Sequence, residues 1–412
     1  MKRFLLALLI ASHRLFAQIP ANDNSADRLF IKSDIAGAIS ESAAELRRNS
    51  HDVNAHFARM EAARLKLRST EELASALAVL QNSPRQDPRG RLAAERIREL
   101  AANTPAFRFA IPQIATLLRA DNSFARELSD ALLTAAADGI RLPRQVRLTP
   151  RVTKWQVVGP FGQFPNVDFD SSWAPEKDEL SSERYEARVR EEIRTQSGEL
   201  ELPDYFAPNG VYYAAAPLSI SKSGKYKLTI ESDGTYVVQM DSKHVLDHDA
   251  RFRQQSAISH AEVQLSTGEH RLFVKLEKAA LPLRIWIEAA REGSTDAPPT
   301  SGAEQEYLNA AISLLDGDPK PALSLNDVSS IAQVLKAEAL SQRRDDQETR
   351  ELLLHASESD QNNLLAVFRM AEKAFAYEQY EQAATQLARV LKVSGGFAPA
   401  QELKFQLAAH FA

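Results

Sequence analysis

The chain of 412 residues contains no cysteine. That absence removes disulfides, thiolate-bound zinc or iron–sulfur centres and a cysteine nucleophile together. Long hydrophobic runs are missing too. The longest, Phe4 to Ala11, falls well short of the roughly 20 apolar residues that a membrane helix needs. Neither sign of charge dominates: 50 Lys and Arg face 55 Asp and Glu, for a formal net charge of −5. Residues 26–148 carry +4, residues 149–295 carry −4 and residues 296–412 carry −7, so no segment has the basic footprint of a nucleic-acid binder. What is present is globular. A hydrophobic share of 44% and a charged share of 25% are ordinary, and the length predicts two to four domains at about 150 residues each.

Lys2 and Arg3 precede the short apolar run, and Ala17 comes after it, before Gln18. Residues 1–17 therefore read as a secretory signal peptide, which predicts an exported protein, periplasmic or extracellular, with no integral membrane segment.

Beyond the leader the chain shows three periodicities. Residues 26–148 are rich in Ala, Leu, Arg and Glu, and Phe57, Met60, Ala63, Arg64 and Leu67 recur at helical spacing. Asp87-Pro88 and Thr104-Pro105 place proline where a first helical turn tolerates it. Six helices in antiparallel pairs are expected there, as a helical-repeat array. Residues 150–293 switch to a period of two, as in Lys225–Glu231, Arg271–Glu277 and Leu283–Glu288, with turns at Ser232-Asp233-Gly234, Asp241-Ser242 and Thr267-Gly268. Short strands at this spacing predict a jelly-roll-like antiparallel β-sandwich. The stretch from Gly162 to Glu201 lacks the rhythm and suggests a loop followed by a charged, helical insert over Ser182–Arg194. Residues 294–306 have linker composition. Helices resume over 307–412, where residues 330–363 and 364–397 superpose Ala337 on Ala371, Leu353 on Leu387 and Ala356 on Val390 at a 34-residue period. The predicted fold class is thus multidomain α and β, with helical-repeat segments flanking the sandwich.

The stretch Ala366–Gly396 resembles a tetratricopeptide repeat, with Ala371, Tyr380, Ala383 and Leu387 at the family's small, aromatic, small and large positions. It departs from the pattern at Gly395, where the terminal proline is expected, and at Val367, where an aromatic is usual. The middle segment is similar to galactose-binding-like and protective-antigen-type sandwiches at Ser232, Asp233, Gly234, Asp241, Gly268, Glu269 and His270. Trp155–Asp170 resembles the opening of exported bacterial proteins that join such a sandwich to tetratricopeptide helices, ahead of a transglutaminase-like domain. That domain needs a cysteine nucleophile, so any such activity lies outside this chain.

Several constellations compete with simpler accounts. Asp233, Asp241, Asp247 and Asp249 offer oxygen ligands to calcium, but local turn chemistry explains acids at these positions. His244, His248, His260 and His270 lack a convergent zinc spacing, and Ser256, Ser259 and His260 lack a nucleophile elbow. If Leu272, Val274, Leu276, Ile285 and Ile287 face the sandwich core, then Phe273 and Trp286 point to an outer surface. There they form either a sugar-stacking platform, with Asp233 and Asp241 as polar contacts, or a seam against a helical segment. The groove face of the last helices would present Leu365, Phe368, Glu372 and Phe375, with Ile331, Val334 and Glu338 from the preceding pair.

Taken together these features predict a non-catalytic exported scaffold that holds protein partners through its tetratricopeptide-like helices, with no cofactor and no metal. Carbohydrate binding by the sandwich, or service as the accessory front end of a transglutaminase-like enzyme, are the alternatives.

Overall fold

The computed structural model describes residues 24–84, 87–119, 124–137, 139–142, 152–162, 164–195, 200–202, 210–251, 258–278, 283–289, 302–326, 328–342 and 346–411. Residues 1–17, expected to be a signal peptide, and residues 294–301 of the expected linker lie outside the described residues, whereas Ala303–Glu306 of that linker open a helix. The fold is mixed: in chain order, helices precede and follow a body of antiparallel sheets.

Among the described residues the first helical segment holds seven helices, one more than the sequence breaks suggested: α1 (Ser25–Phe30), α2 (Ile35–Arg48), α3 (Val53–Leu65), α4 (Ser69–Asn82), α5 (Pro88–Asn103), α6 (Phe107–Arg119) and α7 (Ala125–Ala137). The first, α1, is short, and Asn24 caps it by accepting from the backbone N–H of Asp27. After the sheets come α8 (Ala303–Leu315), a one-turn helix at Lys320–Leu323, α9 (Ser330–Gln342), α10 (Asp346–Ser359), α11 (Leu364–Ala376), α12 (Tyr380–Val393) and α13 (Ala398–Phe411). The starts of α9, α11 and α13 are 34 residues apart, as are those of α10 and α12.

A second repeat links the two helical segments. The hairpin α3–α4 and the hairpin α11–α12, 311 residues further along, are built alike. Asp52 caps α3 by accepting from Ala55 N, and Asn363 caps α11 by accepting from Ala366 N. Each first helix has 13 residues and each second helix 14. Between them, Leu67 and Glu378 take positive φ of 54° and 58°. The same three backbone bonds close both turns: Lys66 N to Ala62 O, Leu67 N to Arg64 O and Arg68 N to Ala63 O, matched by Tyr377 N to Lys373 O, Glu378 N to Phe375 O and Gln379 N to Ala374 O. Phe57 and Phe368 occupy equivalent buried positions. Ala55, Phe57, Glu61, Ala63, Val79 and Leu80 recur as Ala366, Phe368, Glu372, Ala374, Val390 and Leu391 at the same offset, while the other positions of these helices differ.

These two helical segments, separate in sequence, share one apolar cluster that runs from Leu29 through Ala135 and on from Tyr307 to Leu407. Backbone-directed bonds tie them: Asp360 accepts from Ile35 N at 2.8 Å, Ser33 Oγ accepts from Ser330 N at 2.8 Å, and Ser394 Oγ donates to Lys66 O at 2.9 Å. The sheet body is therefore inserted into one helical body.

Eleven strands are described: β1 (Lys154–Phe161), β2 (Arg184–Tyr185), β3 (Arg188–Val189), β4 (Glu191–Arg194), β5 (Val211–Ile220), β6 (Gly224–Glu231), β7 (Tyr236–Met240), β8 (Lys243–His248), β9 (Ile258–Leu265), β10 (Gly268–Glu277) and β11 (Arg284–Ala289). One sheet runs β4-β1-β5-β10-β7-β8 and another β11-β6-β9, all antiparallel. The insert expected to be helical over Ser182–Arg194 is instead the β2–β3 hairpin and edge strand β4. Val157 pairs with Glu191 there, so the charged residues sit on an edge, where ladder bonds to β1 outweigh helix propensity.

Alternation sorts the side chains. Tyr212, Ala214 and Ala216 of β5 join Leu272, Val274 and Leu276 of β10 and Leu228, Ile230 and Ile285 of the smaller sheet in one apolar cluster. The intervening Val211, Tyr213 and Ala215 face the other way, with Phe273, under Phe169, Leu180 and Tyr185. The stretch without strand rhythm thus roofs the outer face of the larger sheet.

Glu378 is exposed and left-handed, a conformation that costs a non-glycine residue about 1 kcal/mol. Glu378→Gly should leave stability unchanged or raise it by up to about 1 kcal/mol, while Glu378→Val should lower it. Urea midpoints of the full chain check this, and a clear loss on Glu378→Gly would contradict the strain.

Candidate functional site

A cavity of about 520 Å³ opens where the two helical segments meet, within the range of small-ligand sites, about 300–1,000 Å³. Helical spacing aims its walls. Arg64 comes from α3. Leu92, Arg96 and Glu99 lie one turn apart along α5, and Arg369, Glu372, Lys373 and Ala376 along α11. Leu314 of α8, Leu335 of α9 and Leu353 of α10 supply apolar floor, and Glu338 and Ser341 of α9 add polar rim.

Every cation on this wall has its own acid. Arg64 donates to Glu338 across the seam at 2.6 Å, Arg96 to Glu99 at 2.9 Å, Arg369 to Glu372 at 2.8 Å and Lys373 to Asp346 at 2.6 Å. Behind them Glu61, fully buried, accepts from the Tyr307 hydroxyl at 2.7 Å and lies 3.5 Å from Arg96 and 3.6 Å from Arg64. Glu61 Oε1 and Arg96 Nε are enclosed without a hydrogen-bond partner, so their contact is ionic only.

The same network sets proton affinities. Burial lowers the Arg64 guanidinium and Arg96 repels its charge, yet Glu338 and Glu61 raise it above its ordinary value. Burial lifts the Glu99 carboxyl, but Arg96 and Arg64 outweigh that and hold it at about 2. For Glu72 of α4 burial wins: its carboxyl is pushed up to about 8 although Arg96 and Arg64 pull the other way.

Residues singled out from sequence fall in different places. Glu372 and Glu338 line the cavity. Leu365, Phe368, Ile331 and Val334 do not; they are buried in the shared helical core, Phe368 edge-on to Phe397 at 5.1 Å. Phe375 is half-buried against Tyr380 and His410. The apolar residues expected to line an open groove belong instead to the core shared by both helical segments. Arg64, Arg96 and Arg369 escaped sequence reasoning. Their one signal was charge at apolar-periodic positions, as with Arg64 in the run from Phe57 to Leu67.

Phe273 and Trp286 do turn away from the inner cluster, but toward different surfaces, since β10 and β11 belong to different sheets. Phe273 is 2% exposed beneath the roof, its ring 5.8 Å from that of Tyr213. Trp286 is 1% exposed; its Nε1 donates to Asp130 of α7 at 3.1 Å, and the Arg126 guanidinium lies 5.4 Å from its ring. Neither ring has a face open to a sugar. Trp286 is a seam residue, beside the Arg98–Glu231 pair at 3.8 Å and the Arg284–Glu231 pair at 2.9 Å.

The turn acids serve turns. Asp241 and Ser242 both have positive φ and reverse β7 into β8. The Asp241 carboxylate accepts from Arg271 N at 2.8 Å and lies 2.6 Å from His270 Nδ1. Burial raises that carboxyl, but those two bonds hold it below its usual value, and the same contact raises the imidazole. Asp233 is exposed in the β6–β7 turn. His244 pairs with Asp247 at 3.3 Å, whereas His248 is buried and stacks on Tyr236, so the two do not converge. His248, and not His260, faces Ser259, at 3.5 Å; Ser256 lies outside the described residues. Among the described residues no three His, Asp or Glu side chains are grouped to hold a metal, and no helix is long and apolar enough to cross a membrane.

No family model and no curated protein matches the chain. Among solved structures, it is similar over 34% of its length to a β-glucosidase from Kluyveromyces marxianus in complex with glucose, at 12% identity and a TM-score of 0.23. It spans 17% of that enzyme. A second similarity, over 37% of this chain and 84% of the other, is to the A domain of epithelial adhesin 6 from Candida glabrata in complex with Galb1-3GlcNAc, at 8% identity and a TM-score of 0.24. Likenesses this partial assign no function to the chain.

Between about pH 5 and 8 the folded chain holds a proton on Glu72 that the unfolded chain, with an ordinary carboxyl near 4.5, has released, so stability falls as pH rises through that window. Glu72→Gln should lessen the slope and add on the order of 1–3 kcal/mol at pH 8; urea midpoints at the two pH values measure it, and an unchanged slope would contradict the assignment. Trp286→Phe should cost about 1–2 kcal/mol for the lost bond to Asp130, and Trp286→Ala about 3–5 kcal/mol, by the same assay. Near-neutral effects from both would mean the seam does not depend on this ring.

Proposed function

We infer that the protein is a binding protein whose helical cleft holds a segment of a partner protein. The helices are read as tetratricopeptide-like and the two sheets as a jelly-roll-like sandwich that braces them, in a protein exported to the cell envelope under the leader at residues 1–17. One observation carries the reading. The cavity of about 520 Å³ lies at the junction of two helical segments, with an aliphatic floor and a rim of mutually paired arginines and glutamates. Such a site offers contact area and hydrogen bonds, the means of holding a ligand. The recurrence of α9, α11 and α13 at 34 residues supports the repeat reading.

The test places a photo-crosslinking amino acid at Ser341, on the rim of the cleft, and at Lys243, exposed in the sheet body. In exporting cells the full chain should give a discrete protein adduct from Ser341 that disappears when Ala376→Trp obstructs the cleft. The same adducts from both positions, or none from Ser341, would refute a cleft-based role.

A further inference from the structure

A second cavity, of about 300 Å³, opens where α1 and the start of α3 meet the start of α8. Its wall carries four carboxylates, Asp27, Glu45, Asp52 and Glu304, and among the described residues no Lys, Arg or His. Helix capping explains part of this: Asp52 accepts from Ala55 N at 3.1 Å, and Asp27 lies in the first turn of α1. Glu45, in the last turn of α2, accepts from Ser25 N at 3.1 Å. Glu304 is different. Although it sits in the first turn of α8, its side chain is only 9% exposed and its Oε1 is enclosed with no hydrogen-bond partner. Its ionic contact, Arg89, stands 3.9 Å away and donates Nε to Asp87 at 3.0 Å. Asp87 is itself buried, with an Oδ2 that also lacks a hydrogen bond. Two buried carboxylates thus share one guanidinium, and a buried carboxylate short of counter-charge is costly.

We propose that this pocket binds a small aliphatic polyammonium, whose charged groups supply the positive charge that Glu304 and the carboxylates around it lack. An ammonium has three donors and no acceptor, which suits a wall whose charged groups are all acceptors. The alkyl carbons between ammonium groups have Phe30 and Ile31 of the same wall to pack against. Two rival ligands fit less well. Among the described residues no three carboxylates are grouped to hold a metal ion, and an anion, which helix N-termini would otherwise attract, meets the four acids instead. Burial pushes the Glu304 carboxyl up to about 7, and Asp87, Asp27 and Asp52 add to the rise against the pull of Arg89. A bound cation favours the ionised form. Binding should therefore expel that proton and tighten between about pH 6 and 8, a range in which alkylammonium groups, like that of lysine, stay charged.

Spermidine, putrescine and uncharged butanediol are titrated calorimetrically into the full chain at matched ionic strength. Spermidine should bind most tightly, putrescine less so and butanediol not at all, and added salt should weaken both amines. Glu304→Gln, which keeps the side chain's shape, should lower spermidine affinity about tenfold or more and flatten its pH dependence, and Asp27→Asn should lower it about threefold or more. Glu402→Gln, at an exposed site on α13, should change nothing. Equal loss on Glu402→Gln would show general attraction to an acidic protein and overturn the site. So would spermidine binding that survives both Glu304→Gln and Asp27→Asn, butanediol binding as tight as that of putrescine, or no binding by either amine. The Ser341 adduct judges the cleft separately, since the two cavities share no lining residue.

Discussion

Arg64 is the hinge pin of the molecule. It sits on α3, 274 residues from Glu338, and its bond to that residue joins the two helical segments at the point where a buried Glu61, a second guanidinium and the Tyr307 hydroxyl converge. Apolar burial supplies most of the driving force for bringing the segments together, but leucine and alanine faces slide and repack at small cost. Buried charges admit one arrangement, because each misplacement leaves a carboxylate or guanidinium unpaired in low dielectric. Arg64, Arg96 and Glu338 of that network also line the cleft.

The sheet body obeys a different constraint. β5 and β10 are buried on both faces, so alternation there separates two apolar clusters, where a solvated sheet would show apolar against polar residues. The outer face of the larger sheet is sealed by the segment around Phe169 and Leu180. That of the smaller sheet meets the helical body through Trp286, Glu231 and Arg284. Both outer rings predicted from strand phase are real, and both are consumed by the protein's own packing.

Periodicity was legible; partnership was not. A period of two located β6, β10 and β11, and the 34-residue superposition located α9 to α12 with their starts in register. What failed was everything set by distant residues. Leu365 and Phe368 look like groove residues from their own helix, but they lie buried in the core that both helical segments share. Ser182–Arg194 reads as helical until β1 offers its edge. Of the cleft, Glu372 and Glu338 were found because they lie on the expected face, but Arg64 and Arg96 belong to a segment that nothing local connects to them. Their chemistry is a product of tertiary proximity.

The bonds from Ile35 to Asp360 and from Lys66 to Ser394 span 325 and 328 residues. Closing loops of that length must precede any reward from the contacts they bring about. During synthesis the first seven helices and the whole sheet body emerge while the residues that will cover Glu61 and Arg64 are still untranslated. A fragment lacking either helical segment therefore leaves part of the shared apolar core open to water.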